Sequence, residues 1–201
     1  MRILFIGPQG SGKGTQAQIV SEKLGIPHIS TGELLRNATG DLRKDIDSYI
    51  VKGNLYPDEK MLNVLEKRFY EKDCEKGFIL DGFPRNVKQV EMLEKITHVD
   101  EVIEIHVSDE ESVRRLESRV SCGKCGTTYG LNKMPKKEGI CDYEGAELIR
   151  RADDNPEAIR KRLATYHRET EPILGLYKSV RVNGEQSVED VSKEILKALG
   201  R

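Results

Sequence analysis

Long hydrophobic runs are missing from this 201-residue sequence. No stretch approaches the roughly 18 apolar residues that a membrane-spanning helix needs. A surplus of one charge is missing too: Lys and Arg number 33 against 34 Asp and Glu, a formal net charge of -1. That balance excludes broad electrostatic attraction to nucleic acid or membrane, so any anion binding has to be local. The chain enters its first apolar run without the layout of a signal peptide, which makes the cytoplasm the expected location. There is no linker composition and no internal repeat, so one domain with insertions is expected. Cysteine is scarce, and three of the four fall between positions 122 and 141. What is present, 37% hydrophobic and 33% charged residues, is enough for one sizeable core in a soluble globular protein. The charged share exceeds the usual ~25%, in the direction of the surface ion pairs of thermophilic proteins.

Against that background Gly7-Pro8-Gln9-Gly10-Ser11-Gly12-Lys13-Gly14-Thr15 stands out. It follows the apolar run Ile3–Ile6 and precedes a helical pattern, read from Gln16 to Leu24 with Gly25 as its stop. Glycines let backbone N–H groups turn toward anionic oxygens, the helix adds its positive N-terminus, and a lysine reaches the outer phosphates. A nucleoside triphosphate fits such a loop. Gly14 stands where the general pattern has Ser or Thr, and the hydroxyl comes one place later at Thr15.

Further strand candidates are Pro27–Ser30, Phe78–Leu80, Val102–Val107 and Val180–Val182, with helical patterns between them. Alternation of this kind predicts a parallel sheet covered on both faces, with ligands beyond the strand C-termini. Two segments break it. Thr31 to Pro57 reads as helical and polar, whereas Ser121 to Arg150 is rich in Gly, Lys and Cys without helical periodicity.

Asp81 emerges where the Phe78–Leu80 strand ends. An aspartate there is commonly a turn or cap residue; with Lys13 and Thr15 upstream it is also placed to hold Mg²⁺ through water. Gly82-Phe83-Pro84-Arg85 follows, and its Gly and Pro restrict the backbone carrying Arg85. The segment Ser30-Thr31-Gly32-Glu33 through Arg36 offers a helix cap and a second arginine. Arg151-Ala152-Asp153-Asp154-Asn155-Pro156 precedes a helix with Asn155 as N-cap and the apolar stripe Ile159, Leu163, Tyr166, beside which Arg162 falls. Asp153 and Asp154 either serve the site or complement the helix dipole. Several arginines suit phosphoryl transfer, in which catalysis is chiefly positioning and charge stabilisation with water excluded.

Cys122-Gly123-Lys124-Cys125 is followed, after fifteen residues, by Cys141-Asp142-Tyr143-Glu144. This is the spacing of a four-ligand zinc knuckle with a carboxylate in its last place, Glu144 by spacing and Asp142 as the lesser substitute. The competing readings are packing or a disulfide. A structural zinc would staple an insertion that has too few apolar residues for its own core. Cys74 lies outside the cluster and reads as a small buried hydrophobe.

Together these motifs resemble, over nearly the whole chain, the adenylate kinases with a zinc-bearing lid, within the nucleoside monophosphate kinase family. The resemblance implies a P-loop three-layer α/β fold with a central five-stranded parallel sheet. Its core would comprise 1–29, 57–120 and 151–201, with a helical monophosphate-binding insertion at 30–56 and a zinc-ribbon-like lid at 121–150. It implies Mg-dependent transfer, ATP + AMP = 2 ADP, without a phosphoenzyme, and in the family Gly-Lys-Gly-Thr is the normal loop ending. By that resemblance ATP lies on Gly10, Ser11, Gly12, Lys13, Gly14 and Thr15, with Arg119, Thr128, Tyr129 and Gln186 near its base and phosphates. AMP lies on Thr31, Arg36, Asn54, Leu55, Tyr56, Gly82, Phe83, Pro84, Arg85 and Gln89. Lys13, Arg85, Arg119, Arg151 and Arg162 surround the transferring group, the last two also reaching AMP. Asp81 and Thr15 hold Mg²⁺ through water, and Cys122, Cys125, Cys141 and Glu144 hold zinc.

The sequence departs from the family pattern at Glu33, usually Asp, at Tyr56, usually small and aliphatic near the acceptor base, and at Glu144, usually Cys or Asp. The stretch between Arg36 and Gly53 is also a few residues short. Two other functions stay open: a kinase with a broader or non-AMP acceptor, and a zinc-ribbon nucleic-acid-binding ATPase, which Lys124, Lys133, Lys136, Lys137, Tyr129 and Tyr143 would serve. The primary reading implies no nucleic-acid, membrane or protein partner.

Overall fold

The computed structural model describes residues 1–50, 56–151 and 154–201. Asn54, Leu55, Ala152 and Asp153, singled out above, lie outside the described residues. Five parallel strands form the central sheet: β1 (Arg2–Ile6), β2 (His28–Ser30), β3 (Phe78–Asp81), β4 (Glu101–His106) and, last in the chain, β8 (Ser179–Asn183). Their spatial order is β2-β3-β1-β4-β8. Parallel register brings Phe5 opposite Asp81 and Ser30 opposite Asp81. Three strand ends therefore meet at one edge, directly beneath the loop that follows β1.

The inner strands β1 and β3 are apolar on both sides because helices cover both faces, whereas the edge strand β8 exposes Val180, Arg181 and Asn183. Ile3 and Phe5 of β1 point to one face with Ile79, Ile103, Ala17, Val20, Val191 and Ile195. Leu4 and Ile6 point to the other, with Leu65, Leu80, Phe83, Leu93 and Ile173. Cys74 is buried in that second cluster, as expected.

The first helix, α1, runs Lys13–Leu24, so it begins three residues before the expected Gln16. The cause is Gly12, the N-cap, which takes a left-handed conformation (φ 91°) and aims the first free N–H groups of the helix into the loop. Within Thr31–Pro57 the described residues form two helices, α2 (Thr31–Arg36) and α3 (Gly40–Ile50), with non-helical chain at 37–39 and 56–57. The next helices are α4 (Asp58–Phe69), α5 (Val87–Glu94) and α6 (Asp109–Glu117).

The Cys-rich segment is a small antiparallel sheet of β5 (Val120–Cys122), β6 (Thr128–Tyr129) and β7 (Leu148–Ile149), in the order β6-β5-β7. Its buried apolar residues are few: Cys122, Tyr129, Cys141 and Leu148. Chain then returns to the core through α7 (Pro156–Thr165), where the Asn155 side chain accepts from Ala158 N–H and Pro156 opens the helix. Ile159, Leu163 and Tyr166 are buried, as their spacing predicts. A π-helical turn, Tyr166–Thr170, and a 3-10 segment, Glu171–Leu176, lead to β8, and α8 (Val188–Ala198) closes the chain. No helix among the described residues is long and apolar enough to cross a membrane.

Candidate active site

A cavity of about 830 Å³ opens above the C-terminal edge of the sheet, walled by the phosphate loop, Asp81, Gly82, Pro84, Arg36, Arg85, Arg119, Arg151, Arg162 and the lid. Strand ends in an α/β sheet are where such a crevice is expected. Of the residues expected to bind ATP, Gly10 to Thr15, Arg119, Thr128, Tyr129 and Gln186 all contribute to its wall.

Lys13 is folded back on its own loop, donating to Gly7 O at 2.6 Å and Pro8 O at 2.8 Å. Its ammonium is thus held at the loop's centre. Desolvation pulls its pKa down to about 8; Asp81 opposes this, and Arg85 and Arg119 add to it. A proton held this loosely is strengthened by anionic oxygens brought near it.

Asp81 ends β3 inside the cavity. Burial pushes its carboxyl up, but His28, whose Nε2 lies 3.8 Å from Oδ2, together with Lys13 and Arg85, holds it below the usual range. It is therefore ionised at neutral pH. A Cβ at Gly14 would lie 3.8 Å from Asp81 Oδ2, so the carboxylate faces the first turn of α1. Carboxylate and Thr15 hydroxyl oxygens near that turn are the hard donors that Mg²⁺ and its waters accept.

The turn after Asp81 needs glycine at its first position: Gly82 has φ 86°, and a Cβ there would stand 2.7 Å from Thr31 Oγ1. The Phe83 side chain goes into the core and does not line the cavity, and Phe83-Pro84 is a cis peptide. Arg85 is clamped on several sides. Its Nε donates to Gly82 O (2.7 Å), its N–H donates to Gln89 Oε1 (2.6 Å), and its carbonyl accepts from Thr170 (2.8 Å). Gln89 is fixed in turn by Asp58 Oδ1 at 2.8 Å and by Asn86.

Opposite lies a carboxylate that the sequence left between two readings. Asp154, buried with its side chain 0% exposed, accepts from Arg119 Nε (2.7 Å) and Nη2 (2.6 Å), and from Arg162 Nη2 (2.8 Å). Burial raises its pKa, and the two guanidiniums outweigh that and lower it. Asp154 is the positioning residue of the arginine pair, and its placement between Arg151 and a helix start was the signal for it. Arg115 was missed as well. One turn before Arg119 on α6, it donates to Gly10 O (3.4 Å) and Gly184 O (2.9 Å), bracketing the phosphate loop against the loop after β8. The i,i+4 spacing to Arg119 was the available clue.

Other expected residues are placed differently from the main group. Arg151 reaches the lid, donating to Ser121 Oγ at 3.1 Å and Thr128 Oγ1 at 3.4 Å. The Tyr129 side chain is only 1% exposed; its hydroxyl accepts from Asp142 N–H (2.9 Å) and lies 3.6 Å from Cys141 Sγ, so the ring belongs to the lid core. Exposed Gln186 bonds Asn183 O and Glu194. Tyr56 is drawn away to Asp45 (2.8 Å), which also takes Lys60, and it does not line the cavity. That hydrogen bond and desolvation, the larger cause, push its hydroxyl up to about 12.

In the lid, Cys122, Cys125 and Cys141 place their sulfurs within 4.8 Å of one another, with Cys125 and Cys141 at 3.6 Å. All are free thiols. Zinc–thiolate bonds of about 2.3 Å in a tetrahedron set sulfurs about 3.8 Å apart, so the three fit that ion. Burial pushes the Cys141 thiol up, but backbone N–H groups of Glu144 and Tyr143, then Tyr129 and Cys122, bring it down to about 7. The exposed Glu144 carboxylate stands outside this group, and the Asp142 carboxylate accepts instead from Lys136 N–H.

A glycine-rich loop on a parallel strand, a half-buried carboxylate at the neighbouring strand end, and six arginines lining one cavity, Arg115 among them, define a P-loop phosphotransferase. The comparisons narrow the class. The family model for adenylate kinase matches residues 5–182. The chain is 43% identical to an adenylate kinase of Caldicellulosiruptor saccharolyticus, covering 100% of this chain and 99% of that one. It is 44% identical to one of Archaeoglobus fulgidus, covering 97% and 96%. With that of Bacillus subtilis it shares 43% over 100% and 98%. The chain belongs to the adenylate kinase family, and it is an enzyme, a nucleoside monophosphate kinase. The nucleic-acid-binding ATPase is not favoured.

Proposed function

We propose that the chain moves the terminal phosphoryl group of ATP directly onto AMP, giving two ADP, with the residues of this cavity in the following roles. The observation that carries the assignment is the convergence of Lys13, Arg85, Arg119 and Arg162 on one cavity beside ionised Asp81. The N–H groups of Gly10 to Thr15 bind the donor phosphates, and Lys13 leaves the Gly7 and Pro8 carbonyls for the outer ones. Arg85, held by Gly82 and Gln89, and Arg36 orient the acceptor phosphate. Arg119 and Arg162, braced by Asp154, meet the charge that spreads over the transferring oxygens, and Arg151 joins them from beneath the lid. Because the arginines are fixed beforehand, little reorganisation is needed at the moment of transfer. The lid and the helical insertion exclude water, the competing acceptor.

Asp81 and Thr15 would hold the waters of a magnesium ion, which supplies charge neutralisation at the donor phosphates when bound with ATP. Cys122, Cys125 and Cys141 would hold a structural zinc, with Glu144 turning in as fourth ligand; that ion supplies folding energy to the lid. AMP-binding contacts are proposed for Thr31, Tyr56 through its backbone, Gly82 to Pro84 and Gln89, alongside Asn54 and Leu55. The cytoplasm is the proposed location.

With Tyr56 turned to Asp45, its ring does not crowd the acceptor base, which favours AMP over a broader acceptor range. Initial rates with AMP, GMP, CMP and UMP at fixed ATP test this. AMP is expected to exceed each of the others in kcat/KM by about tenfold or more. Comparable values for several acceptors would overturn the AMP assignment.

A further inference from the structure

The lid carries an aromatic and a cation that no role in the kinase reading uses. Tyr143 is 71% exposed and Leu131 44%, yet both line the cavity that holds the phosphate loop. A single exposed tyrosine on a protein surface needs no explanation. Here, however, Lys133, which lines the same cavity, sets its ammonium 5.5 Å from the centre of the Tyr143 ring and 5.4 Å from that of buried Tyr129. The charge is held against two ring faces, an arrangement that fixes an otherwise mobile side chain.

Lid contacts say which side of the cavity this wall serves. Gly130 and Lys133 exchange two 3.0 Å backbone hydrogen bonds, so Leu131-Asn132 form the tip of a tight turn. That turn rests on the end of α6, where a Cβ on Gly130 would stand 3.4 Å from Ser118 Oγ and 3.7 Å from Arg119 Cα. The same helix presses on the phosphate loop through Ser112 and Leu116, which flank Gly10. The turn after Cys125 faces the other way, with Gly126 against Glu33 of the acceptor insertion, whereas Tyr143 is tied through Lys133 to the Leu131 turn. The Tyr143–Lys133 wall thus lies on the donor side.

We infer that Tyr143, steadied by Lys133, is a stacking platform for the base of the donor nucleotide, with the Leu131 turn covering its edge. The inference rests on the kinase reading above and deepens it. An aromatic face takes any base, so the platform contributes affinity and leaves selection among bases to other contacts.

Wild-type turnover of ATP and AMP is measured first; its failure would count against the kinase reading and not against Tyr143. Tyr143→Ser is then expected to raise the KM for ATP about tenfold, while Tyr143→Phe stays near wild type. The KM for AMP, the zinc content and the inhibition constant of inorganic tripolyphosphate against ATP should not move, since tripolyphosphate has no base. Lys133→Gln, which leaves the thiols and their neighbours intact, should raise the ATP KM about threefold. It keeps the inference testable should the serine variant lose metal. An unchanged ATP KM in both Tyr143→Ser and Lys133→Gln, an equal weakening of tripolyphosphate, or a shift in the AMP KM instead would each overturn the platform.

Discussion

The core and the lid of this kinase are held by different means. Beneath the phosphate loop, apolar side chains of the strands are packed on both faces by helices, and the loop, Asp81 and Arg85 stand on that layer. The lid's apolar cluster has four buried residues, two of them cysteines beside a third thiol. Apolar burial contributes about 25 cal/mol per Å², so a cluster this small cannot order thirty residues unaided. The lesson is a division of labour: a rigid layer that positions charges, and a cover with little core of its own, for which the proposed zinc would be the staple.

The most damaging way to break that contrast is to attack a charge that the rigid layer holds. Asp154→Asn leaves Arg119 and Arg162 sharing a neutral partner in a buried place. It should lower kcat about a hundredfold and destabilise the fold by about 3 kcal/mol, checked by steady-state kinetics and urea unfolding. A near-normal kcat would show that the arginines orient themselves. Cys122→Ser should act on the lid alone. The zinc expected at one ion per chain should be lost by elemental analysis, hydrogen exchange should rise across 121–150 but not in the sheet, and activity should fall about tenfold. Equal exchange in both regions would erase the distinction.

The smallest effect concerns the brace under both regions. His167 pairs Glu171 and Asp109, each at 2.8 Å, linking the turn after α7 to the start of α6. Glu171 and then Asp109 raise its pKa above 6.5. Its stabilising contribution is therefore complete below pH 6.5 and is lost as pH climbs through the raised folded value. In melting curves from pH 5.5 to 9, His167→Gln should lie about 2 °C below wild type at the acidic end and merge with it at the alkaline end. A constant gap would mean that packing, not charge, makes the link.

Legibility differed from place to place for physical reasons. Gly7 to Thr15 was readable because its parts are contiguous, and strand, glycine turn, lysine and helix follow within one stretch of chain. The start of α1 was misplaced by three residues because the left-handed Gly12 lets the helix begin inside the motif. Tyr129 contributes to the cavity wall expected for ATP, but the burial of its ring in the lid core was not legible, because a two-residue strand carries no alternation from which to tell its inward face. Tyr56 looked like an intruder on the acceptor base, but its hydroxyl goes to Asp45 on the neighbouring helix, which also takes Lys60. Glu144 had the ligand spacing, yet its carboxylate stands apart from the three thiols.

By itself the sequence determined the phosphate loop, the order of strands and helices, the inventory of arginines and the thiol triad. These depend on local spacing and composition, which neighbouring residues set. Only the tertiary structure decided which carboxylate braces which arginine, how Lys13 and Asp81 share a cavity, and which lid aromatic is buried. Those are meetings between segments such as Arg119 and Asp154, or Lys13 and Asp81, whose burial and charge exist only once the sheet has brought them together.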